Sequence, residues 1–328
     1  MIIVTGGAGF IGSNLVAALN DRGLYEVVVV DRLGDGAKWR NLAKRELAGL
    51  VAPGALFGFL DAHAPEIEAV FHLGAISSTT ETDTDLIAEN NFALSLRLWE
   101  WCGWRGTRLI YASSAATYGD GAAGFDDALD VDALARLRPL NAYGWSKHLF
   151  DRRIARLVGI GAPTPRQWAG LKFFNVYGPN EYHKGAQRSV VAHLWPRVVA
   201  DEPAVLFRSH RPGIAHGDQA RDFVWVGDCV AVLLWLYDNP PVCGLFNVGS
   251  GTARSFKDLA TAVFAAAGKP PRIDYVDTPV EIRDKYQYFT EARLERLRAA
   301  GFTAPTVALE DGVRRYVREF LMTDDPYR

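Results

Sequence analysis

A glycine-rich turn just inside the N-terminus constrains what this chain can fold into. Val4-Thr5-Gly6-Gly7-Ala8-Gly9-Phe10-Ile11-Gly12 follows an apolar run that begins at Ile2. Gly7, Gly9 and Gly12 satisfy G-x-G-x-x-G, and Gly6, Gly9 and Gly12 satisfy the related G-x-x-G-x-x-G frame. A strand that turns this tightly into a helix lets the backbone approach a pyrophosphate and aims a helix N-terminus at the anion. Glycine turns are common between strands and helices, so the spacing alone is a weak signal. Its context is stronger, because Asp31 ends the next apolar run 19 residues after Gly12, where an acid meets the adenosine ribose of a dinucleotide. Asp31 favours a free 2′-hydroxyl, whereas Arg32 and Lys38 can hold a 2′-phosphate, so NADP and NAD both fit.

Short apolar runs alternate with amphipathic stretches through the first half. The runs Ile2–Thr5, Val27–Asp31, Ala69–Leu73, Thr107–Ala112 and Gly170–Phe174 lack polar alternation, as expected of parallel strands buried on both faces. Between them the pattern predicts helices over Ile11–Arg22, Asp83–Trp104 and Asn141–Val158. This rhythm gives an α/β fold, a doubly wound parallel sheet of Rossmann type with a smaller mixed α/β substrate domain. The expected dinucleotide domain covers residues 1–174 and is rejoined by about 222–248; residues 175–221 and about 249–328 form the substrate domain. Prolines such as Pro179, Pro196 and Pro203 are expected to break up elements after Asn175, and Arg208–Ala220 reads as a surface loop.

Composition excludes several alternatives. The 36 basic and 38 acidic residues nearly cancel, which argues against nucleic acid or an anionic membrane surface as a partner. The longest apolar run, Cys229–Tyr237, is about half a membrane span. Cys102, Cys229 and Cys243 are odd in number and widely spaced, which argues against a disulfide framework or metal site and fits a reducing, cytoplasmic compartment. No signal peptide is expected ahead of a strand that starts at Ile2. Only eight of the 36 basic residues are lysines, so a lysine at a chemically apt position carries more information than usual.

Leu109-Ile110-Tyr111-Ala112-Ser113-Ser114 ends a predicted strand in two hydroxyls, and Tyr143-Gly144-Trp145-Ser146-Lys147 carries Tyr-x-x-x-Lys in a predicted helix. The i, i+4 spacing places both side chains on one face. An ammonium beside a phenol favours the phenolate, lowering a pKa that is ordinarily about 10. Ser114 can hydrogen-bond the same substrate oxygen, giving a base that takes a proton from a carbinol while hydride leaves to a nicotinamide. The same spacing also arises as a half-buried tyrosine beside a solvated lysine; the glycine turn and the strand-end serines favour the catalytic reading. Trp145 is expected to pack in the core, and His72 to satisfy buried polar groups rather than bind metal.

These segments, with Ser113–Gly119 and Arg221-Asp222-Phe223-Val224-Trp225-Val226-Gly227-Asp228, resemble the extended short-chain dehydrogenase/reductases that modify nucleotide sugars. Gly34–Lys38, Gly74–Glu81 and Phe173–Pro179 leading to His183-Lys184-Gly185 resemble most the ADP-heptose 6-epimerase family of that superfamily. The resemblance implies that Lys38 meets the cofactor's phosphate end, and that Gly74, Ala75, Ile76, Ser77 and Asn90 line its path. Phe10, Ile11, Leu73 and Val176, together with Tyr143, Lys147 and Lys184, fall along the same path. It implies substrate contacts from Asn175, His193, Phe207, Arg221 and Tyr286, with Ser114 and Ala186 beside them. Lys184 becomes a second acid/base facing Tyr143.

Leu73 stands where the resemblance leads one to expect an acid, and Ala186 where it leads one to expect a serine. Ala115 and Ala116 occupy the places of the acid that a sugar dehydratase needs, which excludes dehydration. The implied activity is inversion at C6 of an ADP-heptose with NADP by a cytoplasmic homo-oligomer such as a pentamer. Alternatives are a UDP-hexose 4-epimerase and, from another class, a non-catalytic dinucleotide sensor that could dispense with Tyr143 and Lys147.

Overall fold

The structure, a computed structural model, describes residues 1–283 and 286–328. Its strands are β1 (Ile2–Thr5), β2 (Val27–Val30), β3 (Gly49–Val51), β4 (Ala69–His72), β5 (Arg108–Ser114), β6 (Trp168–Phe173), β7 (Asn175–Tyr177), β8 (Ala204–Phe207), β9 (Ala220–Trp225), β10 (Gly244–Val248), β11 (Ala253–Ser255) and β12 (Ile273–Val276). The helices used below are α1 (Phe10–Asp21), α2 (Leu56–Ala62), α3 (Thr84–Ile87), α4 (Leu94–Arg105), α5 (Val131–Ala135), α6 (Ala142–Gly159), α7 (Val190–Val199), α8 (Val226–Asp238) and α9 (Phe256–Ala266).

Seven strands form one parallel sheet in the order β10-β6-β5-β4-β1-β2-β3. Successive side chains on a strand point to opposite faces, and both faces here are covered. Ile2 and Val4 pack with Leu15 and Leu19 of α1 and Leu233 of α8. Ile3, between them, points the other way, towards a cluster that holds Leu60 of α2, Trp99 of α4 and Phe150 of α6. Removing each such side chain from water contributes about 1.5–3 kcal/mol. An all-valine β2 (Val27–Val30), buried throughout, is therefore stable only inside a two-sided layer.

The smaller region contains a three-stranded sheet, β11-β9-β7, and the parallel pair β12-β8. Val191 and Leu194 of α7 and Leu259 and Val263 of α9 form its core with Phe223 and Trp225 of β9. Residues 226–248 return to the first body: α8 packs on the α1 side and β10 completes the sheet edge, whereas β9 belongs to the smaller sheet. No helix or strand lies between Phe207 and Ala220.

Three departures from the sequence expectations have physical causes. The long helix predicted after Asp83 forms, but it carries a π-helical turn at Ala88–Ala93 between α3 and α4. Pro196 does not end an element; it sits inside α7, on the exposed face and three residues from the helix end. Trp145 is not core. It is 39% exposed because Tyr143 and Lys147 turn their face of α6 to the sheet, which puts residue 145 on the far side.

Strand order reverses between β1 and β4, with β2 and β3 on one side and β5 and β6 on the other. Ligands of doubly wound sheets sit at the carboxyl ends of the strands at such a switch point. The glycine turn leaves β1 there, and the loop from Leu73 leaves β4 beside it.

Candidate active site

Gly6 adopts φ +69°, the left-handed region that favours glycine, and a β-carbon there would sit 2.6 Å from the Gly74 backbone. A β-carbon at Gly12 would overlap the Gly6 carbonyl oxygen. Gly9 is the N-cap of α1, and no side chain caps that helix. Its first-turn amides are therefore left for an anion. A cleft of about 540 Å³ opens above this turn, lined by Gly6, Gly9, Phe10, Ile11 and Gly12. Leu73, Gly74, Ala75, Ile76 and Ser77 form its second wall, with Val176 across from them. An uncapped helix N-terminus, a glycine turn with no room for side chains and an elongated cleft fit a dinucleotide.

Asp31 also lines the cleft. One carboxylate oxygen accepts the Ala8 amide at 2.9 Å; the other accepts the Lys38 ammonium at 2.6 Å and the Arg32 amide at 2.7 Å. Beside it, an adjoining recess of about 190 Å³ is lined by Arg32, Lys38, His72 and Asn90. His72 meets the expectation of a satisfied buried histidine, bonding Thr5 Oγ1 at 2.7 Å and Ser95 Oγ at 2.9 Å.

A second compartment of about 550 Å³ is lined by Asn175, Arg221 and Tyr286, together with Ser114 and Tyr143. Ser114 and Tyr143 line the dinucleotide cleft as well, so the two compartments meet at this pair. Arg221 lies 5.5 Å from the Tyr286 ring and 5.6 Å from that of Phe256, and it donates to the Gln287 carbonyl. Burial lowers its pKa to about 10.

Lys147, on the face of α6 that Tyr143 shares, donates to the Ala112 carbonyl at 2.8 Å. Burial pulls its ammonium down to about 8, against the pull of the Asp151 carboxylate. Tyr143 corrects the expectation of a lowered phenol. Burial pushes it above its ordinary value, and the group that works the other way is the Ser114 hydroxyl, by hydrogen bonding. Lys184 lines the same cleft as Tyr143, 5.5 Å from the Phe10 ring. Burial lowers its pKa and buried Glu181 raises it, so it is no freely solvated loop lysine.

Not every expected contact converges. His193 is exposed and its ring nitrogen lies 3.2 Å from the Ala186 carbonyl oxygen; neither residue lines the cleft or the second compartment, and nor does Phe207. Phe207 stands edge-on to Tyr286 at 6.1 Å, one shell behind the wall.

Several residues to which the sequence assigned no role also stand at or beneath the site. His183 lines the cleft with Nδ1 3.1 Å from Asn41 Nδ2, and its pKa falls to about 4 through burial and the charges of Lys38 and Lys184. Asn91, fully buried in the π-helical turn, bonds both backbone groups of Ile76 and the Ser146 hydroxyl, tying the β4 loop to α6. The pair Asn90-Asn91 inside an otherwise helical stretch was the available signal, since asparagine is costly there. Asp151 and Lys172 form an ion pair at 2.7 Å with no exposed side-chain surface. Among the described residues no group of His, Cys, Asp or Glu is placed to hold a metal, and no helix is long and apolar enough to cross a membrane.

The NAD dependent epimerase/dehydratase family matches residues 2–249, three quarters of the chain. The chain belongs to that family. An ADP-L-glycero-D-manno-heptose-6-epimerase of Nitratidesulfovibrio vulgaris (strain DP4) is 49% identical to this member, with 100% of both chains covered. The crystal structure of the Helicobacter pylori ADP-L-glycero-D-manno-heptose-6-epimerase superposes with a TM-score of 0.78 at 27% identity, covering 97% of this chain and 95% of that one. The UDP-glucose 4-epimerase of Thermus thermophilus, in complex with NAD, gives a TM-score of 0.73 at 29% identity over 95% of this chain and 96% of that one. As an epimerase-family enzyme, this protein works with a nicotinamide dinucleotide.

Proposed function

We propose that this epimerase interconverts ADP-D-glycero-D-manno-heptose and ADP-L-glycero-D-manno-heptose by inversion at C6, with NADP held in the glycine cleft. The observation that carries the reading is that Ser114 and Tyr143 stand in both compartments, with Lys184 on the cleft they share. The names of full-length relatives supply the sugar.

A bound nicotinamide dinucleotide supplies the hydride acceptor and returns the same hydride. Tyr143 takes the proton of the C6 hydroxyl, with Ser114 bonding the same oxygen and Lys147 supplying positive charge on the same helix face. C6 is exocyclic, so rotation about C5–C6 presents the other face of the ketone while the ring stays in place. Lys184 then serves as the acid/base on that side, and its lowered proton affinity suits the role. Arg221 supplies a cation for the sugar diphosphate, and Asn175 and Tyr286 flank it. Two acid/base groups on one cleft, Tyr143 and Lys184, favour C6 inversion over ring-carbon inversion, which must swing the whole sugar and needs one base.

The NADP preference draws on Asp31. Its carboxylate pairs with the Lys38 ammonium and accepts two backbone amides, so its negative charge is offset beside the recess that would take a 2′-phosphate. Arg32 adds a second cation on the same recess. A homo-oligomer is part of the proposal: Trp104, 77% exposed near the end of α4, and Ile160, 64% exposed just after α6, are large apolar groups left uncovered.

Incubation with ADP-D-glycero-D-manno-heptose and, separately, UDP-hexoses, followed by proton NMR of the inverted carbon, tests the reading. Inversion at C6 of the heptose is expected. Inversion at C4 of a UDP-sugar without action on ADP-heptose overturns it in favour of a hexose 4-epimerase. Binding of NADP without turnover of any nucleotide sugar overturns it in favour of a sensor.

A further inference from the structure

Beneath the Tyr143 face of α6 lies a charged cluster that the proposed chemistry does not use. Asp151 follows Lys147 by one helical turn, so Tyr143, Lys147 and Asp151 share one stripe of α6. Its Oδ2 accepts the Lys172 ammonium at 2.7 Å and the Ser113 hydroxyl at 2.7 Å. Lys172 comes from β6, in register with Ser113 on β5. It also donates to Thr117 Oγ1 at 2.7 Å and lies 4.9 Å from the Tyr118 ring. Both members of the pair are wholly enclosed.

Such a pair is a poor device for stability alone. Desolvating two charges roughly cancels their attraction, and an apolar pair of similar volume would pack there at no greater cost. Its position suggests another use. Ser113 lies between Ala112, whose carbonyl accepts Lys147, and Ser114 of the reaction centre. Asp151 thus touches the strand end that carries both, and it is the anion nearest in sequence to Lys147 on the helix face they share.

We propose that Asp151 and Lys172 are positioning residues, a buried counter-charge that keeps Lys147 protonated and fixes the end of β5 from which Ser114 reaches the substrate. The proposal rests on the reading of Lys147 as the cation of the reaction. Lys147 shares its helix face with Tyr143 and Asp151 and acts on His72 of β4, while Tyr111 of β5, Tyr118 after β5, His148 of α6 and Lys172 of β6 stand around Asp151. Burial holds the phenols of Tyr111, Tyr118 and Tyr143 protonated, and His72 and His148 have pKa values lowered to about 3 and about 4. That leaves the Asp151–Lys172 ion pair, closed at 2.7 Å, as the anion and the second cation of the set. Removing the anion must release the Lys147 proton more easily; removing the second cation must hold it more tightly.

Lysine NMR with carbon-13 at Cε reads this directly on the intact protein, because the chain has only eight lysines and Lys147→Met assigns the signal. Asp151→Asn is expected to lower the Lys147 titration midpoint by about one unit, and Lys172→Met to raise it. The alkaline limb of the pH–rate profile moves the same way in each variant. Lys172→Arg, which keeps the charge, leaves the midpoint where it was. An unmoved midpoint in Asp151→Asn, shifts of one sign in both charge-removing variants, or a Lys172→Arg shift as large as that of Lys172→Met would overturn the proposal. Should Asp151→Asn fail to fold, the contrast between Lys172→Met and Lys172→Arg decides it alone. The titration needs no sugar, so a failure of this inference is distinct from a failure to find turnover of ADP-heptose.

Discussion

Acid should weaken this fold through one histidine at the floor of the cofactor recess. His72 Nδ1 lies 2.7 Å from Thr5 Oγ1 and Nε2 lies 2.9 Å from Ser95 Oγ. The Ser95 hydroxyl donates its proton to the Asn91 carbonyl, so it can only accept from His72, which fixes a neutral ring with its proton on Nε2. A second proton would force the Thr5 hydroxyl to turn from donor to acceptor and would put an uncompensated charge on a buried ring. Burial, helped by the charge of Lys147, accordingly lowers the His72 pKa from 6.5 to about 3. The folded value lies below the unfolded one, so the unfolded chain binds more protons between the two. Stability is therefore complete above about pH 6.5 and is lost as pH falls towards about 3.

At 1.36 kcal/mol per unit, this group alone removes about 2 kcal/mol between pH 6.5 and 5. Urea unfolding of nucleotide-free protein at pH 7 and pH 5 measures the loss. His72→Asn starts less stable at pH 7 but should lose about 2 kcal/mol less on acidification, while His148 and His183 contribute equally to both proteins. Equal losses in the two proteins would refute the reasoning.

Tyr143→Phe and Lys184→Ala should each cut epimerisation by about 10²–10⁴-fold while bound dinucleotide, released by denaturation and quantified enzymatically, is retained. Near-normal turnover in Lys184→Ala would return that residue to an ordinary loop lysine. Lys38→Ala removes the cation that neutralises Asp31, so the ratio of NADP to NAD affinity should fall by about tenfold; an unchanged ratio in competitive binding would remove Lys38 from cofactor choice.

The cofactor half of the site was legible because its constraints are local. A glycine turn, an acid at a fixed distance and Tyr-x-x-x-Lys are each set by a few consecutive residues, and Gly6, Asp31 and Tyr143 stand where their spacing puts them. Buried strands were legible for a similar reason, since runs such as Val27–Val30 have no stable place outside a covered sheet. What escaped depends on partners far apart in the chain. Asp151 meets Lys172 and Ser113 only because β5, β6 and α6 pack together, and each alone looks like an ordinary polar residue. β3 was missed because Gly49–Val51 is only three residues long inside a continuous apolar stretch, 47–60, whose glycines and proline leave no strand period to mark it. Ala186 and His193 do not line the cleft although Lys184 and Gln187 on either side of Ala186 do, and no local pattern encodes which side chains the irregular turn at Gly185 turns inward.

The central claim is that C6 is inverted by removing its hydrogen as hydride and returning the same hydride to the other face. Running the reaction from ADP-D-glycero-D-manno-heptose in deuterium oxide and reading C6 of the product by NMR and mass spectrometry tests it most directly. The account predicts inverted product that keeps its original hydrogen at C6, with no deuterium gained there. Deuterium at C6 of the inverted product would mean that a proton, not a hydride, was removed, and would contradict it.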